Sequence, residues 1–453
     1  MSKIFGKNGI RGLAVTEFTC EFAMQIGRAV NAVLSEKDRK AKFFIAKDTR
    51  SSSDVIELAL CTGLCSAGAD VELLGEVPVA VLAWNIREYG ADGGIMVTAS
   101  HANNDVNGIK LFSPKGFRLD ANSENEIERI VMKNPEEIAP VQLKEYGKVT
   151  YNENVIENYI NRLKDVAEVN LKGLKIAVDC GNGCTSTLAE GVFKFFGAEV
   201  FIMGNKPDGT NINTSGSIHI EKLMEFVEDN ECDCGIAFDG SGERCLAVDE
   251  YGNIIDGDII IALCAMDMKK NDKLNNNTII ATQANNLGLI QFAKANDISV
   301  IPAPVGERSM IQKMVECDCC IGGDPSGHII FLDDMPSADG MLTGLKLLDI
   351  LKKSGKKMSE LAEIVEKLPQ VMLNVPIEKK YREIWKNDRA ITSLIEELEE
   401  ILGNDGRIIV RETGREPIIR IRIEGKNFSD INSMALQIAT TIKERTQAGF
   451  KGE

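Results

Sequence analysis

Apolar residues in this chain fall into short solid runs separated by amphipathic stretches. Phe43-Phe-Ile-Ala, Val71-Glu-Leu-Leu and Ile95-Met-Val are too short for helices and carry no alternation, which predicts strands buried on both faces. Between them the spacing changes to three and four. Phe22, Ile26, Val30 and Val33 line one side of a helix that precedes the first of these strands. Helix and strand alternate in this way through residues 1–150, which predicts one α/β domain with a parallel sheet.

The pattern then restarts. Residues 151–255 hold a helix near 153–166 and strands at 175–178, 198–203 and 234–238. Residues 256–368 hold strands near 278–283 and 298–302, then helices near 339–352 and 358–366. From 369 to 453 the order changes: a strand at 371–375, a helix near 390–402, strands at 407–410 and 418–424, and a last helix at 429–446. The expected fold is α/β, with three similar doubly wound α/β domains and a C-terminal α+β domain. Repeated βα units without close sequence repeats point to duplicated domains rather than a solenoid.

Composition narrows the function. A net charge of −16 over 453 residues argues against sequence-independent nucleic-acid binding and against an anionic membrane surface. No apolar run reaches spanning length and the first residues lack a secretory core, so the expected location is cytoplasmic. The twelve cysteines include Cys232-Asp-Cys234 and Cys317-Asp-Cys319-Cys320. Neither offers a paired Cys-x-x-Cys, and buried thiols are expected rather than zinc.

In so acidic a chain, clusters of cations beside small polar residues stand out. Gly93-Gly-Ile-Met-Val-Thr-Ala-Ser100-His101 brings a serine to the rim of a sheet, with Lys110 ten residues on: a nucleophile, a neighbouring imidazole and a cation for phosphate. Arg11 lies in a glycine-punctuated loop at 5–12, suited to a phosphate contact. Asp239-Gly-Ser241-Gly-Glu243-Arg244 places oxygen donors at alternate positions, where they can converge on one hard cation such as Mg²⁺, with Arg244 placed for a phosphate. Asp324-Pro-Ser326-Gly-His328 offers a carboxylate, a hydroxyl and an imidazole to a sugar. Arg411, Thr413, Gly414, Arg415 and Arg420 form a phosphate-binding candidate within ten residues.

These loops, in this order, resemble the α-D-phosphohexomutase superfamily, and most of all its bacterial phosphoglucosamine mutase branch. The family's Thr-Ala-Ser-His-Asn-Pro…Asn-Gly-Ile-Lys lines up with Thr98 to Lys110, and its metal loop Asp-Gly-Asp-Gly-Asp-Arg with Asp239 to Arg244. Its sugar loop lines up with Gly323 to His328 and its phosphate loop with Arg411 to Arg420. The resemblance implies four domains around a central cleft and a phosphate carried on Ser100. It implies Mg²⁺ held by that phosphate with Asp239, Ser241 and Glu243, and a sugar bisphosphate primer. The reaction it implies interconverts hexosamine 6-phosphate and 1-phosphate, glucosamine phosphate above all. Ser100, His101, Arg11, Lys110 and His328 would then act in transfer. Arg244, Asp324, Ser326, Arg411, Thr413, Gly414, Arg415 and Arg420 would bind substrate. A homodimer through the first domain is also implied.

The loops depart from the family's pattern. Ser241 and Glu243 stand where the metal loop has Asp, and Ala102-Asn103 where Asn-Pro follows the Ser-His pair. Two readings follow: a mutase with a retuned metal site, or a catalytically weakened paralogue that binds sugar phosphates or a partner protein. A plain nucleotide-binding protein is a third and weaker reading, because no P-loop or dinucleotide glycine fingerprint is present.

Overall fold

The computed structural model describes residues 4–6, 9–14, 16–36, 39–133, 141, 145–381, 385–413 and 417–447. They form two compact bodies. One comprises the described residues up to Asn285 together with Asp297–Ile364, and the other comprises Asn286–Asn296 with those from Val365 onward.

The first body opens with β1 (Ile10–Leu13), α1 (Cys20–Leu34), β2 (Lys42–Lys47), α2 (Ser53–Ser66) and β3 (Asp70–Glu76). It continues with α3 (Val79–Glu88), β4 (Gly93–Val97), β5 (Val106–Phe112), α4 (Ala121–Lys133) and β6 (Val149–Tyr151). Thr19 caps α1 by accepting from the Phe22 amide at 3.2 Å, an interaction that contributes about 1 kcal/mol. The strands form one sheet in the order β1-β5-β4-β2-β3-β6. Alternate residues of the central strands face opposite layers. Phe43, Ile45, Ile95 and Val97 join Ile26 and Val30 of α1, Leu60 and Leu64 of α2 and Ile127 of α4 in one core. On the other face, a Cβ at Gly94 would lie 2.4 Å from Ile86 of α3. Both faces are covered, so these strands are apolar throughout.

A second sheet holds, after α5 (Val155–Val166), the elements β7 (Lys175–Asp179), α6 (Ala189–Phe195), β8 (Glu199–Met203), α7 (Glu221–Asp229), β9 (Cys234–Phe238), β10 (Cys245–Asp249) and β11 (Ile254–Ile255). Its strand order is β11-β10-β9-β7-β8. The third follows α8 (Gly257–Lys270) with β12 (Thr278–Thr282), then α9 (Leu287–Ala295) of the second body, β13 (Ser299–Ala303), α10 (Glu307–Glu316), β14 (Ile321–Gly323) and β15 (Ile329–Phe331) in the order β13-β12-β14-β15. Helices α11 (Gly340–Ser354) and α12 (Met358–Ala362) complete this body. Cys232, Cys234, Cys319 and Cys320 are buried thiols whose pKa values burial pushes up.

The sheet of the first 150 residues is mixed, not parallel as its pattern suggests. β2, β3, β4 and β6 run parallel, whereas β5 returns antiparallel to β4, and β1 is antiparallel to β5. Only eight residues separate β4 from β5, too few for the crossover a parallel strand needs. The same hairpin recurs in the other two sheets, as β9–β10 and β14–β15. The loops singled out in the sequence at 98–105, 239–244 and 324–328 are therefore three copies of one feature: the connection between the last parallel strand and its antiparallel return.

In the second body β16 (Gln370–Pro376), α13 (Arg389–Leu402), β17 (Gly406–Glu412), β18 (Ile418–Gly425) and α14 (Phe428–Gln447) follow α9. The sheet β16-β18-β17 is antiparallel, and Ile419, Ile421 and Ile423 bury one face of β18 against Ile431, Ile438 and Ile442 of α14. Glu424 is fully buried there and accepts from Arg407, Arg422 and the Leu287 amide.

Candidate active site

Ser100 follows β4 and takes a left-handed conformation, φ 52°. A non-glycine residue in this region carries strain, which persists where surrounding contacts over-determine it. Those contacts are present. The Ser100 amide donates to Thr98 Oγ1 at 2.9 Å, and Thr98 donates to Asp48 Oδ2 at 2.6 Å. The Ser100 carbonyl accepts from Arg50 Nη2 at 3.2 Å and from Asn213 Nδ2 at 2.8 Å, and both donors also reach the Ala102 carbonyl. Arg50 is fully buried against Asp48, whose carboxylate also takes the Ser53 hydroxyl. The departure at Ala102 therefore leaves the loop held through its backbone.

The Ser100 hydroxyl points at Glu243 Oε2, 3.0 Å away. Lys110 Nζ pairs with the same oxygen, and both side chains are about 95% buried. Lys110 stands on β5, which packs closely against β1. A Cβ on Gly108 would sit 2.2 Å from the Ile10 carbonyl oxygen, so only glycine fits two residues before Lys110. Burial opposes charge on Glu243, yet Lys110, His328 and the Ser241 hydroxyl outweigh it and hold the carboxyl well below its usual range. Burial pulls Lys110 down, countered in part by Glu243.

Within the 239–244 turn, Asp239 Oδ1 accepts from the amides of Glu243 and Arg244, each at 3.0 Å. Ser241 Oγ lies 2.8 Å from Asp239 Oδ2 and 2.6 Å from Glu243 Oε2. The turn is tied from outside by Gly240 N to Asn213 Oδ1 at 2.8 Å and by Gly340 N to the Gly242 carbonyl at 3.0 Å. Asp339, beside Gly340, caps α11 and accepts the hydroxyl of fully buried Tyr159 at 2.8 and 2.9 Å. Burial pushes the Asp339 carboxyl up to about 6.

The oxygens of Ser100, Ser241, Asp239 and Glu243 are separated by 2.6–3.0 Å along this chain of contacts. Oxygens about 2.1 Å from one Mg²⁺ in octahedral array are spaced about 3 Å apart, so the donors fit a hard divalent cation. Glu243 Oε1 is buried with no hydrogen-bond partner, which leaves it free for a cation. The set has two carboxylates and two hydroxyls, and no group of three His, Cys, Asp or Glu side chains converges among the described residues.

A cavity of about 130 Å³ opens beside Ser100. Arg11, His101, Lys110, Glu243, Arg244, Asp324 and His328, all singled out in the sequence, line it. The sequence reading did not find Arg118, Gly306, Glu307 and Arg308, which also line it. Arg118 is buried against the Phe112 ring at 5.6 Å, and its Nε, like Arg11 Nε, has no hydrogen-bond partner. Burial lowers the pKa of both arginines. His101 is lowered to about 4 by burial and by Arg244 and Arg11, so it is a neutral imidazole at pH 7. His328 Nε2 is buried and unpartnered. Ser326 donates through its amide and hydroxyl to Asp324 Oδ1.

The remaining candidates belong to the second body. Arg411 on β17 stands directly opposite Arg420 on β18, and Arg420 Nε donates to Asn374 Oδ1 at 2.9 Å. Like charges in direct cross-strand register repel unless an anion lies between them. The Thr413 amide donates to the Ile418 carbonyl at 2.9 Å. Gly414 and Arg415 lie outside the described residues.

Models of four phosphoglucomutase/phosphomannomutase domains match in order: alpha/beta/alpha domain I at 2–137, domain II at 157–252, domain III at 256–368 and the C-terminal domain at 372–441. The chain belongs to this family. The phosphoglucosamine mutases of Acetivibrio thermocellus and Caldicellulosiruptor bescii are each 42% identical to it, over 98% of this chain and 100% of theirs. Among solved structures, a phosphoglucomutase/phosphomannomutase family protein from Burkholderia thailandensis superimposes with a TM-score of 0.84 at 23% identity, covering 99% of this chain and 98% of its own. Aspergillus fumigatus N-acetylphosphoglucosamine mutase, solved with GlcNAc-6P and magnesium, gives 0.68 at 16% identity over 98% and 96%. Family membership over the whole length favours an isomerase of the phosphohexomutase type over the paralogue reading. It is also consistent with metal dependence. No helix among the described residues is long and apolar enough to cross a membrane.

Proposed function

We propose that this chain is a hexosamine phosphate mutase, acting on glucosamine phosphate, that carries the migrating phosphoryl group on Ser100. The observation that carries this reading is the strained serine hydroxyl facing a cavity with Arg11, Arg118 and Arg244, whose side chains hydrogen-bond to no described residue. Guanidinium groups gathered at a cavity wall and hydrogen-bonded to no carboxylate are a binding site for phosphate.

Phosphoryl transfer needs positioning and charge neutralisation more than covalent assistance. In the forward step the phosphoserine P–O bond breaks as a sugar hydroxyl bonds to phosphorus, giving a bisphosphate and a free Ser100 oxygen. The hydroxyl's proton passes to a neighbouring base, for which neutral His101 and the unpartnered Nε2 of His328 are placed. The base hands that proton to the freed Ser100 oxygen, whose hydroxyl faces Glu243 Oε2. The bisphosphate turns over, its other P–O bond to the sugar breaks as that phosphorus bonds to Ser100, and the Ser100 proton passes to the freed sugar oxygen. Arg11, Arg118, Lys110 and Arg244 neutralise the moving charge. A divalent cation, Mg²⁺ by the donor set, would be held by Asp239, Ser241 and Glu243 with the phosphate on Ser100, and would supply further neutralisation there.

Asp324 and Ser326 are assigned to the sugar hydroxyls. Arg411, Thr413, Gly414, Arg415 and Arg420 are assigned to the phosphate that is not reacting. The four-domain division, the homodimer through the first domain and cytoplasmic action remain parts of this reading. It is tested with glucosamine 6-phosphate, Mg²⁺ and a sugar bisphosphate primer: wild type turns over, Ser100→Ala does not, and equal rates would overturn it.

A further inference from the structure

We propose that Glu307 is the group that recognises the sugar's amino substituent, an inference that rests on the hexosamine reading. Glu307 opens α10 after Gly306, whose φ of 129° turns the chain into the helix. Its side chain lines the cavity beside Ser100, and Oε1 is buried without a hydrogen-bond partner.

Three carboxylates line this cavity. Glu243 is engaged by Lys110, Ser100 and Ser241, and Asp324 holds Ser326 through Oδ1. Glu307 alone among them forms no hydrogen bond or ion pair with a described residue. Its charge is felt by Arg118 and Lys110 without a direct pair to either. Arg308, the next residue, is already paired with Glu124.

The other wall charges make this vacancy meaningful. A cavity lined by Arg11, Lys110, Arg118 and Arg244 welcomes phosphate and repels an ammonium group. A sugar phosphate that carries an amine enters such a site at a penalty unless an anion faces the amine. A neutral hydroxyl in the same position needs no such anion. Glu307 is the free carboxylate that meets the requirement, and so separates amino sugars from their hydroxyl counterparts. A carboxylate in the first turn of a helix also interacts favourably with the helix dipole. Losing that role alone would affect every substrate equally.

The test is Glu307→Gln in the full chain, with kcat/KM measured for glucosamine 6-phosphate and for glucose 6-phosphate under primed conditions. A charge-assisted hydrogen bond contributes enough that the glucosamine-to-glucose ratio falls about 10- to 100-fold in the variant. Glu307→Asp, which keeps the charge, restores part of the ratio. A ratio within about twofold of wild type overturns the proposal. Calorimetric affinities for the two sugar phosphates give the same ratio without turnover. An inactive wild type would therefore remove the mutase reading while the binding ratio still decides the role of Glu307.

Discussion

Replacing Lys110 by Met removes the ammonium from a buried carboxylate while keeping the length of the side chain. Lys110 and Glu243 are 5% and 4% exposed, so solvent takes over little of the lost partner. Breaking a pair this deeply buried costs about 3–5 kcal/mol, because the remaining charge stays desolvated. For a body of this size 3 kcal/mol lowers the midpoint of thermal unfolding by roughly 4 °C. The double variant Lys110→Met/Glu243→Gln has no buried charge to strand and should recover most of that loss. The coupling in the cycle should therefore exceed about 2 kcal/mol. The pH dependence follows from the sign of the Glu243 shift. Its folded pKa lies below its unfolded one, so the pair's contribution is complete above the ordinary glutamate value and fades as pH falls. Thermal unfolding near pH 7 and at acidic pH, followed by calorimetry, reads both effects. A Lys110→Met protein that melts with wild type, or a cycle without coupling, refutes this account of the pair.

Three further outcomes are expected. Ser241→Asp puts a third carboxylate at a position whose present hydroxyl lies 2.6–2.8 Å from two others, so Mg²⁺ affinity by titration calorimetry rises at least about 10-fold while the metal-free protein loses stability; unchanged affinity would show that Ser241 lies outside the cation site. Asp339 has a folded pKa of about 6, above its unfolded value, so the folded state binds more protons in that interval and this group's effect on stability worsens as pH rises towards 6. Asp339→Asn removes that slope, and an identical pH profile of melting temperature would contradict it. Gly108→Ala drives a methyl into the Ile10 carbonyl and is expected to cost several kcal/mol, read as a lower melting temperature; wild-type stability would show that β1 can move away from β5.

The strand leading to Ser100 was legible because Ile95-Met-Val is apolar, short and followed at once by polar residues. Its antiparallel return was not. Asn103-Asn-Asp-Val-Asn107-Gly reads as a continuous loop, and nothing in its local pattern reveals that Val106–Phe112 doubles back beside β4. Reading that return in all three sheets unites loops that look unrelated in the sequence. The Ser100, Asp239 and Asp324 turns were recognisable because each packs several functional groups into a few residues. Arg118, Glu307 and Arg308 stand far from those motifs, and a single buried arginine carries no periodic signature. The one local hint was Gly306 ahead of Glu307 at a helix start. Asp48 and Arg50 follow β2, and their work, Asp48 fixing Arg50 while Arg50 holds the carbonyls of the Ser100 loop, exists only in three dimensions.

The most direct test of the central claim is a single-turnover transfer measurement. Protein primed with a sugar bisphosphate labelled in its phosphoryl groups is digested and the labelled peptide mapped, with unlabelled glucosamine 6-phosphate added to half the sample. The account predicts label on Ser100 alone, lost to the sugar within one turnover. Label elsewhere, or label on Ser100 that the sugar phosphate does not remove, would contradict it.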